Sequence, residues 1–475
     1  MGKRILGILL LIIPATIFAQ EKWGLRRCAD YAMQNNISVK QADVQARYSA
    51  LQLQQAKLNK IPTASFGTGF GLQFGRSIDP TTNLFTTTQL LYQNYQLQGG
   101  ATLYSFGRFK NNQLAADFNL QAAYADVEKT KNDVALNVAS YYLQVLAAKE
   151  QVEIVQVQLA QSKTQYDNTK KRVDAGALPE LNLAELESQL ATDSSNLITA
   201  KATYDQNLLF MRSLLNLDMA AAFEIETPPV DLIPLEPIAE LQPDYVYRLA
   251  IATQPQQKAN DFRIKGAEKN ILAAQAALKP SLSGFYSLGS TFNNQAQSPT
   301  GSYTVNPSIG KVNIDGTDYQ VFPNQPYSLN TYGKTKYFKQ LDQNFSQSVG
   351  INISVPIFNN GNARIAVQNA KLNLENLKLS KDLADQTLQS NIYTAYSNAV
   401  ASMEKYNASG RSVESAQKAY DFASKRYEVG LLSTLDLITN QNNLLRAKLQ
   451  QLANHYDYVF KMKVLEFYKG QGIKL

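Results

Sequence analysis

Between Arg108 and Ala175 the sequence holds neither proline nor glycine, and apolar or small side chains recur at Val138, Tyr141, Val145, Ala148, Val152, Val155, Leu159, Ser162 and Tyr166. The steps alternate between three and four residues, which is the a/d seam of a heptad repeat. A helix of about 65 residues is roughly 100 Å long at 1.5 Å per residue. No compact domain accommodates such a rod, so the chain must build something elongated.

The rod is written twice. A shift of 254 positions matches the run from Lys171 to Leu183 with the run from Lys425 to Leu437, with the Lys, the Arg, Gly176/Gly430, Leu178/Leu432, Leu181/Leu435 and Leu183/Leu437 identical. The same shift pairs Gly107 with Gly361, Leu120 with Leu374, Tyr142 with Tyr396, Tyr166 with Tyr420 and Tyr204 with Tyr458. One register kept this long is the mark of an internal repeat. The second copy has its own seam at Leu388, Ile392, Ala395, Ala399, Ser402, Tyr406, Ser409, Val413, Ala416 and Tyr420. Further upstream the shift becomes 218, pairing Pro62 with Pro280, so the second copy is 36 residues longer (254 against 218). The extra residues fall near 293–343, rich in Asn, Gln, Ser, Thr, Gly, Pro and Tyr, which predicts a long surface loop.

These marks divide the chain into a first repeat over 20–226, a proline-dense connector over 227–241 and a second repeat over 242–475. Each repeat reads as a helix, a β-hairpin (63–105; 281–358), a long helix (107–173; 361–427) and a shorter partner helix (180–216; 434–469). Thr63 to Gly75 alternates, with Ala64, Phe66, Phe70, Leu72 and Phe74 on one face and four glycines with Ser65 and Gln73 among the other. Asn344 to Ile357 does the same with Val349, Ile351, Ile353 and Val355. Tyr95, Leu97, Ala101 and Leu103 give a looser version, and Ser281 to Phe292 a fourth. Each run is near the 9 to 11 residues that a tilted strand needs to cross a bilayer. A soluble sheet with one face on a core fits single strands equally well. If they do cross, four strands cannot close on themselves, and three chains giving four each leave no edge unpaired.

The first residues are basic (Lys3, Arg4), then apolar (Ile5 to Ile13), then small, ending Phe18-Ala19-Gln20. That order predicts a signal peptide over 1–19; the alternative, a membrane anchor, has an apolar run only about half of the ~20 residues that a crossing helix needs. Cys28 is the only cysteine and His455 the only histidine, so a disulfide within the chain is excluded, and the sequence shows no constellation for a zinc site, a Cys-His pair or a Ser-His-Asp triad. No catalytic residue, cofactor or metal site is expected. The net charge of +7 is scattered and has no basic, aromatic-laced cluster of the kind that grips nucleic acid.

Two segments carry a family resemblance: Val355-Pro356-Ile357-Phe358-Asn359-Asn360-Gly361, from the last strand into a long helix, and Arg426 to Leu437 around Gly430. With the repeat, they make the chain resemble the TolC family of outer-membrane efflux and export channels. The resemblance implies an α+β membrane protein: a homotrimer with a twelve-stranded barrel in outer-membrane lipid and coiled-coil helices forming a tunnel through the periplasm. Its partners would be a periplasmic adaptor (membrane fusion) protein and an inner-membrane transporter. The adaptor would dock at the helix-helix turns, Gly176 and Leu178 in the first repeat and Gly430, Leu431 and Leu432 in the second; as plain helix ends, these glycines need no such role. Tyr427 and Asp436 match positions of the tunnel constriction. Leu432 stands where the family's gate has an arginine, and Asn182 and Thr439 stand where it has acids, so the ion-pair latch lacks its charges. Asp436 would form a ring of three carboxylates, or serve as an acid favoured by its helix start.

Overall fold

The computed structural model describes residues 22–78, 83–220 and 223–470, so the expected signal peptide lies outside the described residues. Helices α1 (Leu25–Asn35) and α2 (Ile37–Leu58) precede strands β1 (Thr63–Ile78) and β2 (Phe85–Tyr104), then helices α3 (Arg108–Asp174) and α4 (Glu180–Leu215). The second repeat runs α5 (Pro243–Thr253), α6 (Pro255–Ala276), β3 (Ser281–Asn293), β4 (Gln297–Val305), β5 (Gly310–Ile314), β6 (Thr317–Val321), β7 (Tyr327–Lys334), α7 (Tyr337–Gln343), β8 (Ser346–Ser354), α8 (Asn362–Glu428) and α9 (Thr434–Tyr468). The chain forms two units, one of strands (Gln52–Ala115 with Glu268–Leu372) and one of helices.

In the helical unit the seams are the buried stripes. Val138, Val145 and Ser162 on α3, and Ile392 and Ala399 on α8, are wholly inaccessible. Each buried valine contributes about 1.5–3 kcal/mol, and the seam of α8 continues through Ala423 to Tyr427. The main core joins Leu25, Cys28 and Ala32 of α1 to Tyr142 and Leu146 of α3, Met211 and Leu215 of α4, and Tyr456 and Val459 of α9.

The connector packs into this unit through Val230, Ile233 and Leu241. Prolines leave a segment short of donors, and a buried pair supplies part of the deficit. The Lys463 ammonium donates to the Pro234 carbonyl at 2.6 Å and to Glu466 at 2.8 Å, while the Glu236 amide donates to Glu466 at 2.9 Å.

In the strand unit four antiparallel strands form one sheet, ordered β1-β2-β3-β8. The β1/β2 register runs unbroken from Thr63↔Gly100 to Ile78↔Phe85. One face carries Phe66, Phe70, Leu72 and Phe74 of β1 and Val349, Ile351 and Ile353 of β8, all exposed. On the other, Gly71 opposes Tyr92; a Cβ there would meet the phenol ring at 2.7 Å, so the glycine makes room for the tyrosine. A bulge between Thr102 and Tyr104 shifts the register, so Tyr104 takes the place opposite Leu282.

The region read as a long loop, 293–343, is instead folded. It contains two hairpins, β4/β7 and β5/β6, and the helix α7. The β5/β6 hairpin turns at Asp315-Gly316, both with positive φ, the conformation that Asp-Gly turns favour. Val312, Ile314, Tyr319 and Val321 share one of its faces, and Lys311, Asn313, Asp318 and Gln320 the other. Five-residue alternations are too short to stand out from the polar residues around them.

At both junctions from strand to long helix the backbone takes two consecutive left-handed residues, Phe106-Gly107 and Asn360-Gly361, related by the same shift of 254. Phe106 is held there by Tyr104, ring centroids 4.9 Å apart, and by the Lys279 ammonium over its ring.

Candidate helix tips and constriction

Both helix-helix turns have the same construction. Gly176 has φ +69°, its amide donates to the Val173 carbonyl at 2.8 Å, and the Ala177 amide reaches back to Arg172 at 2.8 Å. Gly430 has φ +76°, with equivalent bonds to Tyr427 at 3.0 Å and from Leu431 to Arg426 at 2.8 Å. These paired bonds form the motif that ends helices on a left-handed residue. Among the described residues nothing lies within 4 Å of a Cβ built on either glycine, so backbone conformation alone demands the residue. An L-residue there costs roughly 1–2 kcal/mol. Lys171 and Arg172, and Lys425 and Arg426, occupy the last turns of α3 and α8, where the helix dipole favours positive charge.

The turns differ in how the next helix begins. Pro179 caps α4 without a side-chain hydrogen bond, whereas the Ser433 hydroxyl accepts from the Asp436 amide at 3.1 Å and donates to the Asp436 carboxylate at 2.7 Å. Asp436 and Thr439 are exposed three residues apart, on one side of α9. Asn182 is half-buried on α4. Tyr427 is buried among Ala423, Leu437, Tyr420 and Leu432, and its phenol shares a hydrogen bond of 3.0 Å with Thr169 of α3. Asp436 and Thr439 therefore share an open surface, and Tyr427 joins two helices.

Of the apolar tip residues, Leu431 is exposed, whereas Leu178 and Leu432 are half-buried. Leu181, Val429 and Leu435 are also exposed, at 67%, 69% and 62%. The sequence held a signal for two of these, since Leu181 and Leu435 are identical under the repeat shift.

Farther from the turns lies a buried polar layer. Ser162 of α3 donates to the Asp193 carboxylate of α4 at 2.5 Å and accepts from Gln441 of α9 at 2.8 Å. Gln189 donates to Asp193 at 2.9 Å and exchanges amide bonds with Asn442, each 3.1 Å. Ser162, Asp193 and Gln441 are wholly buried. Gln441 Oε1 has no partner among the described residues; the paired atoms of the layer hold their geometry because moving them would leave more buried groups unsatisfied. In the sequence Ser162 is one more small residue of the seam, and its partners are more than thirty positions away, so no local pattern marks this layer.

The family profile described as "Outer membrane efflux protein" matches residues 29–217 and 246–470. This chain belongs to that family. It is similar to outer membrane efflux protein BepC of Brucella suis, 20% identical over 393 residues covering 81% of this chain and 72% of the relative. It is also similar to outer membrane protein TolC of Escherichia coli, 24% identical over 330 residues covering 68% of this chain and 58% of TolC. Among solved structures, a crystal structure of CusC superposes with a TM-score of 0.74 at 16% identity, covering 94% of this chain and 92% of that one.

As an outer membrane efflux protein, the chain is one subunit of a homotrimeric channel in the outer membrane that works with an adaptor and an inner-membrane pump. Three copies of the four-stranded sheet close the barrel, and the helices form the periplasmic tunnel. A barrel in lipid turns its apolar face outward and its polar face inward, which makes the exposed phenylalanines of β1 and aliphatics of β8 the lipid side and the face of glycines and Tyr92 the lumen side. The family is one of channels rather than an enzyme class.

Proposed function

We propose that this subunit is a passive exit duct that catalyses nothing, docks its adaptor through exposed leucines at the two helix turns, and is held closed by neutral hydrogen bonds. Support for docking comes from Leu181, Val429, Leu431 and Leu435, which stand exposed around Gly176 and Gly430. Apolar groups clustered at the ends of helical hairpins suit a partner whose contact is itself apolar. Leu178 and Leu432 are half-buried, and Leu432 packs against Ala423, Tyr427 and Leu437.

For the constriction, the absent arginine and acids leave Asp436 as the charged member among Tyr427, Asp436, Asn182 and Thr439. Three copies about a threefold axis make a carboxylate ring that favours cations, with the Thr439 hydroxyls beside it. Asn182, on α4, adds no charge. Tyr427 to Thr169, and the Tyr420 phenol accepting from Gln165 at 2.9 Å, replace a charged latch with a neutral one.

The deciding experiment pairs two readouts on purified trimers. Leu431→Asp with Leu435→Asp is expected to abolish cross-linking to the adaptor while the trimer persists, and Asp436→Asn to reduce cation selectivity in single-channel recordings. Undiminished cross-linking would remove the docking surface, and unchanged selectivity the ring.

A further inference from the structure

Helix α7 packs against the lipid-facing side of the barrel sheet. Phe66 of β1, Leu97 of β2 and Leu288 of β3 share that face by register, as do Thr68, Tyr95 and Ser290. Ser290 donates to the Leu341 carbonyl at 2.7 Å, the Asn293 amide donates to the Gln340 side chain at 3.0 Å, and the Phe292 and Tyr337 rings lie 4.7 Å apart. Counting about ten residues from Ser281, the length that crosses the hydrocarbon core, brings β3 to Ser290. The helix thus sits where the strand leaves the apolar zone.

Two observations fit that location. The polar groups beneath α7 close on one another: Tyr95 and Tyr337 share a hydrogen bond of 2.7 Å, Tyr337 donates to Gln93 at 2.9 Å, and Gln93 donates back to Tyr95 at 2.7 Å. A ring of this kind needs no water. Beside it opens an apolar groove of about 480 Å³, lined by Phe66, Tyr95, Leu97, Leu288, Leu341 and Phe345. It is continuous with the barrel's hydrocarbon-facing surface. On the outer side of α7, Phe338 is 81% exposed and Lys336 and Lys339 are also exposed, the aromatic and basic pairing of an interfacial anchor.

We propose that this groove binds one acyl chain of an anionic membrane lipid, whose headgroup is met by Lys336 and Lys339. The groove's continuity with the lipid-facing strands makes bilayer lipid its occupant rather than a cargo molecule or a protein segment.

The test uses the intact trimer in bilayers containing phosphatidylglycerol with a photoreactive diazirine in its acyl chain. Labelling is expected to concentrate several-fold on Leu341 and Phe345 over Ile351 and Ile353, which are exposed on the same face of β8 opposite Gly284 and Leu282, within the apolar zone and away from the groove. Leu341→Trp fills the groove and should reduce that labelling with the trimer intact. Should that variant fail to assemble, Leu97→Phe and competition by unlabelled lipid on the wild type serve instead. Lys336→Glu with Lys339→Glu should lower labelling by the anionic probe but not by a phosphatidylethanolamine counterpart. Even labelling of groove and strand faces, or labelling indifferent to filling and to competition, would overturn the proposal.

Discussion

The phenol of Tyr427 on α8 and the hydroxyl of Thr169 on α3 share a buried hydrogen bond of 3.0 Å, and seven residues earlier on α8 Tyr420 accepts from Gln165 of the same partner helix. Two bonds one heptad apart fasten a pair of long helices without any charge.

Removing one side of such a buried pair leaves the other unsatisfied, at a cost of about 1–3 kcal/mol. Tyr427→Phe is expected to raise the open probability of reconstituted trimers in single-channel recording, and Tyr420→Phe with Tyr427→Phe to raise it further. Thr169→Val added to Tyr427→Phe should change little more, because the bond is already gone. Recordings indistinguishable from wild type would take the latch away.

The buried pair beneath the connector gives a stability prediction. Lys463 and Glu466 are 3% and 6% exposed in their side chains and between them hold Pro234 and Glu236. Truncating one member strands the other's charge, typically at 3–5 kcal/mol. Lys463→Met should lower the thermal unfolding temperature of the detergent-solubilised trimer, and Lys463→Met with Glu466→Leu should recover much of the loss. A double variant worse than the sum of the singles would contradict this account.

Much of the architecture was legible because it rests on periodicities that a long rod repeats many times. Val138 to Tyr166 names a seam by itself, and the identity of Gly176 with Gly430 reports a turn whose backbone accepts little else. The folded insert was hidden for the opposite reason: β5 and β6 are five residues each, and α7 is held mainly by tertiary bonds from Ser290 and Asn293. At the tips, sequence position does not reveal which way a side chain turns. Leu178 and Leu432 are half-buried while Leu181 and Leu435 stand open, and Tyr427 lies between helices. The Ser162, Asp193 and Gln441 layer joins three helices through contacts that no local pattern encodes.

Cys28 offers a chemical probe of the α1 packing. It is wholly buried, and burial pushes its thiol up to about 12, against the opposing charge of Arg27. Only thiolate reacts readily, so maleimide labelling of the folded trimer at pH 7.5 should be negligible and become complete in guanidinium. Labelling at the rate of a free thiol in the folded trimer would mean that α1 undocks readily.

His455 gives the chain a pH dependence whose sign follows from its surroundings. Its ring stacks on Tyr406 with centroids 4.3 Å apart, and Nε2 lies 3.6 Å from Asp231. Burial lowers its pKa from the usual 6.5, and the charges of Asp231 and Glu150 oppose that shift without cancelling it. Just below pH 6.5 the unfolded chain therefore binds more protons at this position than the folded one, so stability rises with pH across that window. The contribution is complete above pH 6.5 and is lost as the pH falls toward the lowered folded value. Unfolding temperatures measured from pH 7.5 to 5 should decline more steeply for the wild type than for His455→Phe, which keeps the stack on Tyr406 and cannot titrate. Equal slopes would mean that the imidazole takes up its proton without penalty in the folded trimer.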